Sequence, residues 1–267
     1  MAKASHRASN RSASRCLRHG AAALACVALA GCSTVGGTRD DGNDDPLEPM
    51  NRVVFNANDV VDTNVIRPLA DGYRRIVPEA VRDAIRACLD NLQEPRIFVN
   101  NVLQFRLDAA AVTLARFSFN STFGLAGLID VASPNGLARQ TGDFGQTLYR
   151  WGVGSGPYLV LPFFGPSNFR DAFGFGMDIV AMPPALLLDD GTGIWINAGV
   201  YVLSGFDLRS RNIEQLDQIK ANSLDYYAQF RSIARQYREA QLRAARGIID
   251  EPEELLDPEA PAPTPAN

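Results

Sequence analysis

Apolar residues recur at three- and four-residue steps along most of the chain, and the places where that rhythm fails mark its turns. The first periodic stretch starts at Asp45-Pro46, where an acidic residue before proline and Glu48 in the first turn predict a helix start. Val53, Val54, Val60, Val61 and Ile66 form its apolar positions, and Arg67-Pro68 predicts a break or kink. A second start at Val77-Pro78-Glu79 leads into an amphipathic helix with Val81, Ile85, Cys88, Leu89 and Leu92 on one face. Pro95 predicts a restart, and the spacing from Ile97 to Phe117 continues through a turn near Phe105. Asn120 to Leu128 is rich in small residues, and 132–144 is polar and turn-rich. Helical spacing returns over Asn168–Met182, stops at Pro183-Pro184, and returns again over Ile194–Phe206. One long amphipathic helix is predicted over Ile213–Arg246.

The stretch Gly145–Pro166, GQTLYRWGVGSGPYLVLPFFGP, breaks this helical pattern and organises the rest. Gly152, Gly154 and Gly156 at alternate positions allow a sharp bend, and Pro157 fixes the exit, so the segment reads as a hinge. It joins a short apolar run, Tyr158 to Phe164, closed by Gly165-Pro166. A buried strand between two turns and a movable apolar segment both fit this run. The surrounding aromatic residues, Tyr149, Trp151, Phe163, Phe164, Phe169, Phe173 and Phe175, suit an apolar surface edged by water. No stretch reaches eighteen uninterrupted apolar residues, a pattern that fits helices lying in one leaflet and equally the core of a soluble helical domain.

The N-terminus changes the composition that matters. A basic segment (Lys3, Arg7, Arg11, Arg15, Arg18), an apolar run Ala21–Ala30 and Leu29-Ala30-Gly31-Cys32 read as a secretory signal, residues 1–31, ending at a cysteine. Residues 32–45 read as a flexible acidic tether, 46–249 as one helical domain, and 250–267 as a disordered acidic Pro/Ala-rich tail. Of 26 basic residues five leave with the signal, so 21 face 30 acidic ones in the remainder. That balance argues against a nucleic-acid partner. Both histidines, His6 and His19, lie in the signal, which removes Ser-His-Asp and Cys-His mechanisms and histidine metal sites. Cys88 then has no intramolecular disulfide partner apart from Cys32.

Several motifs stand in order along the chain: Asp45-Pro-Leu-Glu48, Asn51-Arg52 with Phe55-Asn56, Pro68 with Tyr73, Asn91-Leu92, Asn101 to Gln104, Arg116-Phe117 with Asn120-Ser-Thr122, Gly124 and Gly127 with Asp130, Asp143-Phe-Gly145-Gln-Thr-Leu148, Gly152-Val-Gly-Ser-Gly-Pro-Tyr158 and Arg170-Asp171. Together they resemble the MlaA (VacJ) family of outer-membrane lipoproteins. The resemblance implies a mostly α, single ring-like helical domain with amphipathic membrane-embedded helices and a short glycine-rich hairpin. It further implies lipidation at Cys32 as the only attached group and no other cofactor. Its implied place is the periplasmic leaflet of the outer membrane. Its implied task is removal of mislocalised phospholipid from the outer leaflet through an amphipathic channel to a periplasmic carrier of the MlaC type, often beside a trimeric porin. Gly152, Gly154, Gly156 and Pro157 would be the channel hinge. Two departures stand out: Ala87-Cys88 where relatives often carry Asn-Phe, and Gln104-Phe105 where Gln-Gly is common.

A polar headgroup crossing an apolar body needs polar lining, and the candidates are Asn120, Ser121, Thr122, Gln146, Thr147, Asn168, Arg170 and Asp171. Each of them also suits a helix cap or a structural ion pair. A phospholipase fits the expected location, but the chain has no Gly-x-Ser-x-Gly elbow and no histidine base, so no enzymatic activity is expected. A scaffold lipoprotein that moves nothing is the competing reading, with the long C-terminal helix and tail as its docking surface.

Overall fold

The computed structural model of the protein describes residues 45–181, 183, 188 and 191–246. The signal, Cys32, nearly all of the tether and the acidic tail lie outside the described residues. The described fold is mostly α, with a two-stranded antiparallel hairpin. The helices are α1 (Glu48–Val61), α2 (Arg67–Ile76), α3 (Glu79–Leu103), α4 (Leu107–Thr122), α5 (Phe144–Arg150), α6 (Phe169–Val180), α7 (Thr192–Arg211), α8 (Ile213–Asn222) and α9 (Tyr226–Ala245). Strands β1 (Tyr158–Leu161) and β2 (Gly165–Asn168) sit between α5 and α6, with Tyr158 opposite Asn168 and Leu161 opposite Gly165.

The packing closes on itself. α1 lies against β1, β2 leads into and packs on α6, α6 packs on α7, and α7 on α2, which continues α1. The α3–α4 hairpin packs on α7 through α3, while α8 and α9 join α2 to α5. The apolar centre is small: Phe55 of α1, Tyr158 and Val160 of β1 and Tyr227 of α9, with Phe55 edge-on to Tyr227 at 5.4 Å.

Pro68 does not break the first helix. A π-helical turn over Asp62–Ile66 precedes it, with the Arg67 amide reaching back to the Asp62 carbonyl, and α2 continues with Pro68 in its first turn. Widening the turn there makes room for a ring that would otherwise press on the Asn64 carbonyl. Pro95 does not restart the chain either, because α3 runs through it. Cross-links on either side, Glu94 to Arg116 and Arg96 to Asp178, hold the backbone where one hydrogen bond is missing. The expected single helix over 213–246 is two helices. Ser223 turns extended, Leu224 is exposed, and the Asp225 carboxylate accepts the Ala228 amide at 3.1 Å to start α9.

The first turn also differs from expectation. Asp45 caps nothing; α1 begins at Glu48, and the buried Asp45 carboxylate accepts Asn51 Nδ2 at 2.8 Å, the Tyr227 hydroxyl and Arg231. The last residue assigned to the tether is therefore part of the folded body.

Candidate functional site

Polar side chains fill much of the interior, and many large apolar side chains are exposed. The largest fully buried side chains among the described residues are Arg116, Gln104, Gln146, Glu94, Asn51, Asn100 and Asn101. Exposed large side chains include Val53, Val60, Ile85, Leu92, Leu107, Leu114, Phe123 and Leu203. On α3 the inward stripe is Glu94, Ile97 and Asn101, continued by Gln104 at the helix end, spaced as one helical face. On α4 the inward residues are Ala109, Ala110, Thr113, Arg116 and Asn120. Such interiors stay closed only if their polar groups find partners, and most do.

Three ionic knots do this work. In the first, Arg116 Nε donates to Glu94 Oε1 at 2.9 Å, and its remaining donors reach Ser133 Oγ, the Leu137 carbonyl and Asp130. Burial pushes the Glu94 pKa up, and Arg116 offsets this only in part. For Asp130 burial is outweighed by the Ser133 hydroxyl and amide, Asn120 and Arg116, which bring its pKa down to about 2. In the second, Asp178 accepts Asn100 Nδ2 at 3.0 Å, the Phe144 amide at 3.1 Å, the Tyr201 hydroxyl at 3.2 Å and Arg96 at 3.3 Å. In the third, Arg238 of α9 grips two carboxylates at once, Asp143 with both contacts at 2.8 Å and Asp171 with both at 2.9 Å. Arg238 holds both carboxyls below the usual range against the opposing effect of their burial.

The third knot frames the glycine-rich segment. Asp143 also caps α5 by accepting the Gln146 amide, and Asn168 caps α6 by accepting the Asp171 amide. Between them α5 and α6 cross at Gly145 and Gly174: a methyl group on Gly174 would lie 2.4 Å from the Gly145 nitrogen. The hairpin that follows is held from the side by two amides of α1. Asn51 donates to the Tyr158 carbonyl at 3.1 Å and accepts the Val160 amide at 2.9 Å. Asn58, two turns on, donates to the Leu161 carbonyl and accepts the Phe163 amide, both at 2.9 Å. Each side chain thereby supplies the donor–acceptor pair that a third strand would give.

The hinge residues occupy an open loop. Gly152 has φ of +88° and Gly156 +66°, while a Cβ on Gly152 or Gly154 would meet nothing within 4 Å. Pro157 uses its carbonyl to accept the Phe169 amide at 3.1 Å.

The eight lining candidates separate into groups. Asn120 is buried and clamps the loop after α4 through the Val131 and Ala132 amides and Asp130. Ser121 accepts Asn91, and Thr122 is exposed and bonds its own helix at Ser118. Gln146 and Thr147 are buried at the α3–α5 contact, where Thr147 Oγ1 donates to Asn100 at 2.8 Å and accepts Gln104 at 3.1 Å. Asn168, Arg170 and Asp171 lie together at the start of α6 beside the hinge. The structure thus gathers Gln146, Thr147, Asn168, Arg170 and Asp171 around the α5–α6 crossing and leaves Asn120, Ser121 and Thr122 at the end of α4. Glu94, Arg96, Asn100, Gln104, Asp178 and Arg238 were missed as a group. The signal was a polar residue at helical spacing on α3, the reverse of the apolar stripe that periodicity is normally used to find.

Comparison with known proteins agrees with this geometry. The family model described as MlaA lipoprotein matches residues 43–241. An uncharacterized protein of Rickettsia bellii is 35% identical over 213 residues, covering 80% of this chain and 82% of the relative. The intermembrane phospholipid transport system lipoprotein MlaA of Escherichia coli strain K12 is 34% identical over 223 residues, covering 80% of this chain and 84% of its own length. A solved structure described as the structural basis for maintenance of bacterial outer membrane lipid asymmetry superposes with a TM-score of 0.65 at 33% identity, covering 76% of this chain and all of that one. The motif order, the polar interior and the family match lead to one conclusion: the chain belongs to the MlaA lipoprotein family.

Proposed function

We propose that this protein is a membrane lipoprotein of intermembrane phospholipid transport: it takes mislocalised phospholipid from the outer leaflet of the outer membrane and passes it to a periplasmic carrier of the MlaC type. The observation that carries this reading is the large number of exposed apolar side chains around an interior rich in buried polar groups. Bare in water, the exposed apolar side chains would each forgo part of the about 1.5–3 kcal/mol that full burial brings, whereas in one leaflet they are solvated by acyl chains. Among the described residues no helix is long and apolar enough to cross a membrane, which agrees with helices lying in a leaflet. Lipidation at Cys32 would hold the body at the periplasmic leaflet, and a trimeric porin is a candidate neighbour for the apolar rim.

In this reading the polypeptide does no chemistry. Phospholipid moves because tails stay in hydrocarbon while the headgroup meets polar groups, and the loop Gly152–Pro157 opens and closes the way. Each acyl CH₂ drawn into water would cost about 0.8 kcal/mol, so tail shielding sets the barrier. The test is labelling of exposed aminophospholipid on intact cells that lack the protein. Labelling should rise, and the wild-type gene should reverse it while a Cys32→Ala copy should not. No rise in an otherwise intact envelope would favour a scaffold that moves nothing.

A further inference from the structure

We propose that the glycine-rich loop covers a phosphate-binding site at the N-terminus of α6, centred on Arg170, and that opening of the loop exposes this site to a phospholipid headgroup. The proposal rests on the transport reading and names the chemistry that the loop would guard.

Arg170 is only 4% exposed, and its Nη2 has no hydrogen-bond partner. A buried guanidinium nitrogen left unpaired is costly, and it marks a place where an acceptor belongs. Three donors at this helix start are taken by carbonyls of the loop, while the Asp171 amide is capped by Asn168 and Arg170 Nε is held by Asp171. The Phe169 amide donates to Pro157 at 3.1 Å, the Arg170 amide to Ser155 at 3.0 Å, and Arg170 Nη1 to Val153 at a long 3.5 Å. Two loop oxygens thus occupy positions at a helix N-terminus that phosphate oxygens commonly take, and a third sits on the Arg170 guanidinium. When the loop leaves, two amides and Arg170 Nη1 are released beside the Nη2 that already lacks a partner. The loop is built to leave: beyond Gly152 and Gly154 there is open space, and its oxygens come from the segment whose glycines permit the bend.

The charge around the site suits an anion. Tyr149 lies between two guanidinium groups, Arg170 at 5.1 Å and Arg246 at 4.1 Å from its ring. Asp171 accepts Arg170 Nε at 3.0 Å, and it would repel a phosphate if it stood alone. Its oxygens, and those of Asp143, are also gripped by Arg238, so three guanidinium groups face two carboxylates. A phosphate that is diesterified carries a single negative charge, which matches that balance.

The test uses the purified full chain in detergent with Trp195→Phe, so that Trp151, next to the loop, is the sole reporter. The probes are dihexanoylphosphatidylethanolamine, phosphate-free dihexanoylglycerol and inorganic phosphate. The phospholipid should change Trp151 emission saturably and dihexanoylglycerol should not. Arg170→Gln should weaken binding at least about tenfold, with Arg170→Lys weakening it less. Inorganic phosphate binding as tightly as the lipid, with the same Arg170 dependence, would uphold the site with free phosphate as its ligand. Equal binding of the phosphate-free lipid to the Trp195→Phe parent would overturn the proposal, and so would full affinity in a folded Arg170→Gln protein. The parent comparison stands even if the Arg170 variants fail to fold. Binding that depends on Arg170, with no change in surface phospholipid in cells lacking the protein, would sink the transport reading and leave the site. The reverse pair of results would sink the site alone.

Discussion

Arg116 and Glu94 meet inside the α3–α4 hairpin at 2.9 Å, with side-chain exposures of 2% and 0%. In water-soluble domains such a pair is often replaceable by apolar residues at no cost, but removing one partner strands the other. Arg116→Met should therefore cost about 3–5 kcal/mol in denaturant unfolding measured in detergent. Arg116→Met with Glu94→Leu should recover much of that. The single variant's deficit should also shrink on acidification. Burial already lifts the Glu94 pKa, and a carboxyl whose folded pKa lies above its unfolded value destabilises the fold at higher pH and is relieved as it takes up a proton. A deficit that stays constant with pH would mean that Glu94 is not the stranded group.

Asn58 should control the hairpin tip alone. Replacing it by leucine removes the acceptor of the Phe163 amide while leaving Asn51 on the Val160 amide. Hydrogen exchange at Phe163 should quicken about tenfold, corresponding to roughly 1.4 kcal/mol of lost local protection, with Val160 unchanged. Equal quickening at both would show that the hairpin moves as one body; no change at either would remove the latch.

Phe105 joins α3 to α4 with φ of +58° and is 80% exposed. A left-handed conformation costs an ordinary L-residue about 1–2 kcal/mol, which glycine avoids. Phe105→Gly should raise the melting temperature in detergent, by about 1 kcal/mol of stability. In vesicles the gain should be smaller, because the exposed ring would then lose its contact with acyl chains. A lower melting temperature in detergent would mean that Phe105 makes a stabilising contact that outweighs its backbone.

Much of the architecture was readable. The helix start at Glu79, the turn near Phe105, the stop before Pro183 and the short strand after Gly156 follow from local chemistry that tertiary context did not override, while the hairpin was implied by the family resemblance. The departure at Gln104-Phe105 even foreshadows a backbone position that favours glycine. Periodicity failed where it was asked which face is inside. Val53, Val60, Val81, Ile85 and Leu92 form the apolar stripes of their helices and are exposed, whereas the stripe rule for a domain in water would turn them inward. The break at Ser223–Asp225 was hidden by apolar spacing that runs on across it, although the capping aspartate was in view. Partners such as Arg238 with Asp143 and Asp171 lie 95 and 67 residues apart, and no local pattern announces them. For that reason the lining candidates near α6 were found as polar residues beside apolar stretches, while the knot that holds them was not.

An apolar exterior that sits among acyl chains can be tested with the protein's own reporters. Its two tryptophans, Trp151 and Trp195, are 53% and 78% exposed in the isolated protein. The measurement is tryptophan emission of the lipidated protein in vesicles whose phospholipids carry bromine near the headgroup or near the chain ends, with Trp151→Phe and Trp195→Phe to separate the two signals. The account predicts blue-shifted emission for both and stronger quenching by the shallow bromines, as expected for a body held in one leaflet. Emission typical of indole in water, unquenched by either lipid, would contradict it.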